Sequence, residues 1–199
     1  MISSRLCLLC FITLSLATIT LGGDTNTRVH VVLTTNRGEI ELELDAARAP
    51  LTTANFLRYV DQGLYDGGVF HRTVTLGNQP ANKIKIEVIQ GGINPARAKE
   101  DRPAIALERT RDTGLRHEDG TISMARNGPD TAKSDFFICV NSQPELDFGG
   151  RRNPDGQGFA AFGRVVRGLD VVRAIQQAPA EGQKLLPAVL ITRAFRVSK

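Results

Sequence analysis

The chain has 199 residues, a net charge of +4 and only 6% aromatic residues. That length suffices for one domain with a sizeable core, and an apolar share of 41% is typical of a soluble globular protein. Basic residues are scattered among acidic ones. Because a nucleic-acid surface needs a basic stripe with stacking aromatics, binding of nucleic acid is not expected.

The first residues have the composition of a secretory signal peptide. Arg5 precedes an apolar run from Leu6 to Leu21, and Gly22 and Gly23 follow it. The run is diluted by Ser and Thr and is shorter than the ~20 residues that a membrane-spanning helix needs. We therefore predict that residues 1–23 are a cleaved signal peptide. Residues 24–199 would then form one exported domain, periplasmic or secreted, with no membrane contact after cleavage.

Strand candidates dominate the rest of the chain. The turn Asn36-Arg37-Gly38 separates the first two of them, which is typical of a hairpin. The candidate strands are Arg28–Thr34, Glu39–Leu44, Val69–Val74, Ile84–Gln90, Thr121–Ala125, Phe136–Val140, Ala160–Val165 and Val189–Val197. The candidate helices are Pro50–Gln62, which begins with Pro and ends before Gly63, and Leu169–Gln177. Two helices are too few for repeated β–α–β units, so the sequence predicts a mainly β protein, an antiparallel barrel closed at its ends by helices.

Three segments are expected to be long loops, namely Asp66–Gly68, Asn94–Pro103 and Leu146–Gly158. The basic pair Arg151-Arg152 in the last loop is interpreted as a solvated loop tip.

The sequence contains no motif typical of nucleophilic or metal-dependent catalysis. No G-x-S-x-G motif is present, and His30, His71 and His117 lack metal-ligand spacing. Cys7 and Cys10 lie in the predicted signal peptide, which leaves Cys139 in an apolar run, where we expect it to be buried and unreactive. We therefore expect neither a metal nor a cofactor.

One reaction needs none of these groups, the rotation of an X–Pro peptide bond. Its barrier of ~18–20 kcal/mol is lost amide resonance. A donor aimed at the amide nitrogen stabilises the twisted state. In "VFHRTV", strand alternation predicts that Phe70, Arg72 and Val74 share one face, which would place such a donor among apolar side chains. The alternative is an edge-strand Arg that lies along the protein surface.

Four separated motifs resemble the cyclophilins, the cyclosporin-binding class of peptidyl-prolyl isomerases. They are "FHR" at Phe70–Arg72, "IQGG" at Ile89–Gly92, "GTISMARNGPDTAKSDFFI" at Gly120–Ile138 and "FAAFGRVVRGLDVV" at Phe159–Val172. The resemblance runs in order from about Val29 to Val197. It implies a closed eight-stranded antiparallel β-barrel with a helix at each end. It also implies an isomerase that acts on proline-containing polypeptides, without a cofactor and as a monomer.

The resemblance also implies roles for single residues. Arg72 would be the catalytic donor and Gln90 would position the substrate carbonyl. Ile86, Val88 and Gln90 would share one strand face. The implied substrate-binding residues are Val88, Ala125, Arg126, Asn127, Asp135, Phe137, Leu146 and Phe159. For Phe137 and Leu146 the alternative is plain core packing.

This sequence departs from the family pattern at five places. An insertion, roughly Leu76–Ile84, separates Arg72 from Gln90, and Glu87 stands where a Phe is common. The chain has no Trp, and Glu145 stands near the place of the family's pocket-rim Trp. Asp135 replaces a Gln and Phe159 replaces a His.

Two functions are compatible with this pattern. The first is an exported prolyl isomerase that assists the folding of exported proteins, favoured by Arg72, Gln90 and Phe137. The second is a low-activity module of the same fold that binds Pro-containing segments of a partner, favoured by Glu87 beside the insertion.

Overall fold

A closed antiparallel ring of eight strands forms the body of the protein. The structure is a computed structural model that describes residues 28–197, so the predicted signal peptide lies outside the described residues. The strands are β1 (Arg28–Thr35), β2 (Gly38–Asp45), β3 (Gly68–Val74), β4 (Val88–Gly92), β5 (Thr121–Met124), β6 (Phe136–Cys139), β7 (Ala160–Arg167), β8 (Ala180–Glu181) and β9 (Lys184–Arg196). The helices are α1 (Pro50–Asp61), α2 (Thr110–Thr113) and α3 (Leu169–Gln176), with 3₁₀ turns at Pro95–Glu100 and Pro144–Leu146.

The ring has the strand order β1-β2-β7-β5-β6-β4-β3-β9 and closes through pairing of β9 with β1. The additional strand β8 pairs with β9 alone and lies outside the ring. The prediction of an eight-stranded antiparallel barrel is therefore confirmed, with one short extra strand. Closure leaves few unpaired strand edges, which is how such sheets avoid edge-to-edge association.

Several predicted boundaries are wrong. The fourth strand begins at Val88 rather than Ile84, because the side-chain amide of Gln79 binds the Ile86 backbone, donating to its oxygen at 2.7 Å and accepting from its nitrogen at 3.3 Å. The last strand begins at Lys184 rather than Val189, because its first residues pair with β8 and β3. The expected loop Asn94–Pro103 contains a 3₁₀ turn, Gly68 belongs to β3, and the short helix α2 was not predicted.

Two apolar clusters divide the buried residues. The larger fills the barrel and receives Phe56 from α1 and Val172 and Ile175 from α3. The smaller, which we call the outer cluster, lies on the outer face of β3, β4 and β6. Its buried members are Val74, Ile86, Val88, Phe137, Cys139 and Leu146. On β4, Ile89 belongs to the barrel core and Val88 to the outer cluster, as strand alternation requires.

Candidate active site

A β-bulge at His71 turns Arg72 out of the barrel. Phe70 pairs with Gly91 and Arg72 with Gln90, so His71 has no partner on β4. The extra residue reverses the alternation, which leaves Phe70 in the barrel core and places Val74 in the outer cluster. The prediction that Phe70 shares a face with Arg72 is therefore wrong, because alternation holds only in an unbulged strand. Bulges often re-aim side chains beside active sites.

Two glutamine side chains hold the Arg72 guanidinium. Gln90 Oε1 accepts a hydrogen bond from Nη1 at 2.8 Å. Gln183 Oε1 accepts from Nε at 2.9 Å and from Nη2 at 2.7 Å. A guanidinium has five N–H donors, so within the described part of the chain one donor on Nη1 and one on Nη2 remain for a bound molecule. Sequence analysis missed Gln183, which lies in the tight β8–β9 connection and belongs to none of the four motifs.

The Arg72 charge is not neutralised by its protein partners. Gln90 and Gln183 are neutral amides, and among residues 28–197 no carboxylate oxygen lies within 4.0 Å of the guanidinium nitrogens. Burial of the side chain lowers the pKa of Arg72. A partly buried, unpaired cation beside an apolar slot interacts strongly with any carbonyl or lone pair that enters.

Arg72 borders a pocket of about 500 Å³ whose floor is apolar. All ten residues predicted for the site line this pocket, namely Arg72, Val88, Gln90, Ala125, Arg126, Asn127, Asp135, Phe137, Leu146 and Phe159. The floor is made by the outer cluster, in which Val88, Phe137 and Leu146 are buried and Phe159 packs from the side. The size is typical of small-ligand sites, and the apolar floor is surrounded by a larger number of polar and charged residues.

Phe137 is fixed by aromatic neighbours. Its ring stands edge-on to that of Phe159, with centroids 5.3 Å apart, and stacks on His117 at 5.8 Å. His117 is buried, with Nδ1 2.7 Å from Asp147 and Nε2 3.0 Å from Ser123 Oγ. Burial lowers the pKa of His117 and outweighs the opposite effect of Asp147. Sequence analysis found no role for His117, which in the structure supports the pocket floor from behind.

Arg126 stabilises the pocket wall through contacts with neighbouring residues of the protein. Its side chain is only 1% exposed and pairs with Asp155 at 2.7 Å, and it lies over the Phe159 ring. The side chain also donates to the Gly158 carbonyl, which anchors the long loop before β7. Arg126 therefore presents its backbone rather than its side chain to the pocket, next to Ala125 and Asn127 on the pocket wall.

Asp135 continues the polar edge of the pocket beyond Gln90. Its carboxylate accepts from Gln90 Nε2 at 3.2 Å and lies 3.8 Å from His71 Nε2. It stands over Gly92, where any Cβ would overlap the carboxylate. This hydrogen bond, which Gln90 Nε2 donates to Asp135, orients the Gln90 amide so that its Oε1 faces Arg72.

Comparison with known proteins decides the family. Residues 30–195 match the family model described as Cyclophilin type peptidyl-prolyl cis-trans isomerase/CLD. The chain belongs to this family. Peptidyl-prolyl cis-trans isomerase A of Dickeya dadantii is 40% identical over 156 residues, which are 78% of this chain and 75% of the relative. Peptidyl-prolyl cis-trans isomerase cyp18 of Streptomyces antibioticus is 40% identical over 73% of this chain and 82% of its own length.

A solved structure shows the same fold. The cyclophilin type isomerase of Cryptosporidium parvum superposes with a TM-score of 0.70 at 23% identity, over 86% of this chain and 99% of that one. The prediction that the chain is a prolyl isomerase of the cyclophilin type is confirmed by the family and its relatives.

In this cyclophilin the pocket wall that follows the insertion is apolar. Ile86 lines the pocket, whereas Glu87 binds Asn141 Nδ2 at 3.0 Å and is not among the lining residues. Glu87, which stands where the family commonly has a Phe, is therefore not part of the pocket lining, and Ile86 supplies an apolar side chain there. Within the insertion, buried Gln79 holds the chain that leads to Ile86.

The pocket rim carries a guanidinium rather than a carboxylate. Glu145 accepts hydrogen bonds from the backbone nitrogen of Arg151 at 2.8 Å and from its Nη2 at 2.9 Å, and it is absent from the pocket lining. Arg152 is half-buried in the pocket and donates from Nη1 to the Ile84 oxygen at 2.6 Å. The interpretation of Arg151-Arg152 as a solvated tip thus holds for Arg151 and is wrong for Arg152.

The described residues contain neither a cluster of metal-binding side chains nor a helix that could span a membrane. Among residues 28–197 no three His, Cys, Asp or Glu side chains converge in a way that could hold a metal ion. In the same part of the chain no helix is long and apolar enough to cross a membrane. Cys139 is fully buried, as predicted, and burial raises the pKa of its thiol well above the usual value.

Proposed function

We propose that this isomerase rotates X–Pro bonds of exported polypeptides during their folding, with Arg72 as the catalytic donor. The observation that carries the proposal is the position of Arg72, held by two neutral amides at the edge of an apolar slot. Its charge and two of its N–H groups remain available to a peptide whose proline ring enters the slot.

The proposed mechanism is electrostatic. When the X–Pro bond twists, amide resonance is lost, the nitrogen lone pair becomes localised and the carbonyl dipole shrinks. A donor from Arg72 aimed at that nitrogen stabilises the twisted state, while the apolar floor around Phe137 disfavours the more dipolar planar state. Each ~1.4 kcal/mol gained only in the twisted state accelerates rotation about tenfold.

The other pocket residues would hold the peptide. Gln90, which is oriented by Asp135, would position the carbonyl before the proline. The backbone of Ala125–Asn127 would pair with the extended peptide. Val88, Phe137, Leu146 and Phe159 would surround the proline ring, since these side chains form the apolar floor.

We further propose that 24–199 is the mature domain, exported to the periplasm or secreted, monomeric and free of the membrane. The support is the signal-like pattern of residues 1–23. In the same proposal α1 and α3 close the two ends of the barrel, which is supported by burial of Phe56 and Ile175 in its core. Fractionation of cells that express the full chain, with N-terminal sequencing of the product, tests export and cleavage.

The pocket wall bears on the alternative, a binding module with little turnover. The observation that favoured the module was Glu87 beside the insertion, at the place where the family commonly has a Phe. Since Ile86 rather than Glu87 lines the pocket, the proposal of an active enzyme is the better supported.

The test is Arg72→Ala, with Arg37→Ala as a matched control. Arg37 is an exposed Arg in the β1–β2 turn, remote in sequence from every pocket residue. We expect the Arg72 variant to fold normally, by circular dichroism, and to lose on the order of a hundredfold in kcat/KM on an X–Pro peptide. The Arg37 variant should retain full activity. Unchanged kcat/KM in a folded Arg72→Ala variant would exclude the assigned role.

A further inference from the structure

Two guanidinium groups share the proposed catalytic pocket. Arg72 lies at its floor edge and Arg152 at its rim, and both line the same cavity. Within the described residues neither has a carboxylate oxygen within 4.0 Å. Arg126, the third arginine of the pocket, is different, because Asp155 neutralises it at 2.7 Å. The pocket therefore carries two positive charges that have no carboxylate partner among the described residues.

Arg152 is held in place rather than free in solvent. Its backbone nitrogen donates to the Glu145 oxygen at 3.1 Å, and its Nη1 donates to the Ile84 oxygen at 2.6 Å. These contacts tie it to the 3₁₀ turn that supplies Leu146 and to the end of the insertion. One N–H is used at Ile84, and a guanidinium has five, so most of its donors can serve a ligand.

The charges of the pocket are unevenly distributed. Asp135 lies beyond Gln90 as seen from Arg72, because Gln90 bonds to both. Asp101 and Lys133 also line the pocket, and Asp101 lies on the side of Asp135, since both border a neighbouring cavity. The carboxylates are therefore at one end of the pocket, and Arg72 and Arg152 form its positive end. Burial, together with the nearby charge of Arg72, lowers the pKa of Arg152, which means that the two cations disfavour each other. An anion at this end would relieve that repulsion and can bind a guanidinium through two parallel hydrogen bonds.

We propose that Arg152 forms a subsite for an acidic side chain of the substrate, Asp or Glu within two residues of the isomerised proline. This inference rests on the proposed function, in which the proline ring occupies the floor of the same pocket. An extended peptide advances ~3.3–3.6 Å per residue, so residues one or two positions from the proline stay close to the floor, in the same pocket that Arg152 lines. The substrate class is thus acidic X–Pro segments.

The experiment compares peptides that contain one X–Pro bond and differ only by Glu or Gln. Glu or Gln is placed in turn at the two positions before and the two positions after the proline. NMR exchange spectroscopy measures kcat/KM without a reporter group, and NMR titration of the same peptides gives Kd independently of turnover. The proteins are the wild type, Arg152→Gln, Arg152→Lys and the control Arg151→Gln, whose side chain pairs with Glu145 on the surface.

At one position we expect wild type to favour Glu over Gln by about three- to tenfold in kcat/KM or in Kd, an effect that weakens as salt is raised. Arg151→Gln should keep this preference, Arg152→Gln should lose it, and Arg152→Lys should keep part of it. A wild-type ratio near one at all four positions, or an undiminished preference in Arg152→Gln, would overturn the subsite. Turnover of the Gln peptides tests the proposed function separately. If these peptides bind without turnover, the ratio of the Kd values for the Gln and Glu peptides still tests the subsite.

Discussion

Gln183 Oε1 accepts two hydrogen bonds from Arg72, one from Nε at 2.9 Å and one from Nη2 at 2.7 Å. The amide of Gln183 donates in turn to the Asn78 oxygen at 3.2 Å. Asn78 belongs to the insertion and also donates to the oxygens of Thr73 and Gly182. The insertion thus braces the β8–β9 connection, and that connection holds the guanidinium in place.

This arrangement predicts that Gln183→Ala slows catalysis while leaving substrate binding almost intact. Without Gln183 the guanidinium loses two of its three fixed hydrogen bonds and samples other orientations. Since in the proposed mechanism its free donors act on the twisted state, we expect kcat to fall about tenfold to a hundredfold. KM should change by less than about twofold, because the apolar floor is untouched. Steady-state kinetics on an X–Pro peptide measure both constants.

Two further variants separate positioning from general damage. Gln183→Glu can still accept from Arg72 but neutralises its charge, so kcat should remain below that of wild type even though the hydrogen bonds persist. Gln177→Ala, at an exposed glutamine after α3, should behave as wild type. Wild-type kcat in a folded Gln183→Ala variant would show that Gln90 alone suffices to hold Arg72.

The sequence predicts the barrel because its evidence is periodic and local. Alternating apolar residues in β1 and β2 and the Asn36-Arg37-Gly38 turn appear in the structure as expected. The bulge at His71 could not be predicted, because nothing in "VFHRTV" shows which residue lacks a partner on the neighbouring strand. The start of β4 was missed for a related reason. Gln79 replaces the strand pairing of Ile86 with a side-chain amide, which is a contact between loops.

Site residues that belong to sequence motifs could mostly be predicted, whereas two site residues that belong to loops could not. All ten predicted residues line one pocket, and most of them lie in motifs on or beside strands whose order fixes their neighbours, whereas Leu146 comes from the 3₁₀ turn Pro144–Leu146. Gln183 and Arg152 come from a hairpin turn and a long loop, and their side chains reach the pocket only through tertiary packing. A charge pattern alone could not separate Arg151 from Arg152, because their different exposures depend on the bond from Arg152 to Ile84.

The buried imidazole of His117 predicts loss of stability in mild acid. Burial lowers its folded-state pKa below the usual 6.5, so below that pH the unfolded chain binds the proton more tightly than the native protein. The free energy of unfolding should therefore fall as the pH drops through 6.5, by at most ~1.4 kcal/mol per pH unit, until the folded-state pKa is reached. Above about pH 7.5 this contribution is constant.

Urea unfolding of wild type and His117→Gln between pH 5 and 8 measures this dependence. Gln keeps a polar group between Asp147 and Ser123 but does not titrate in this range. The variant should be less stable at pH 8, and its stability should fall less between pH 7 and pH 5. Parallel curves for the two proteins would mean that His117 keeps its ordinary pKa in the fold.

Cys139 should resist thiol reagents in the native protein. Its side chain is fully buried in the outer cluster, and burial raises the pKa of the thiol, so the reactive thiolate is scarce and inaccessible. Mass-spectrometric peptide mapping of labelled full-length protein would distinguish Cys139 from the cysteines near the N-terminus. A cysteine introduced at exposed Ser142 should react rapidly under the same conditions, and equally rapid modification of Cys139 would contradict the prediction.

The last prediction concerns cyclosporin, the inhibitor for which the cyclophilins are named. Its binding in sensitive cyclophilins uses a rim Trp, but this chain has no Trp and presents Arg152 at the rim. Loss of the indole removes a donor and a large apolar contact, and covering a charged guanidinium adds a desolvation cost. Each effect is worth roughly 1–3 kcal/mol, so inhibition should be weaker than in sensitive relatives by at least about tenfold.

Glu145→Trp tests this explanation, with Glu145→Ala as its control. Both variants remove the surface pair with Arg151, which contributes little because Arg151 is well exposed. Only the Trp variant adds an indole next to Leu146, the pocket residue that follows in the chain. We expect inhibition titrations to show tighter cyclosporin binding for Glu145→Trp and no gain for Glu145→Ala, with isomerase activity maintained in both. Nanomolar inhibition of the unmodified protein would mean that Arg152 moves aside and that the insertion or the loop before β7 supplies the missing contact.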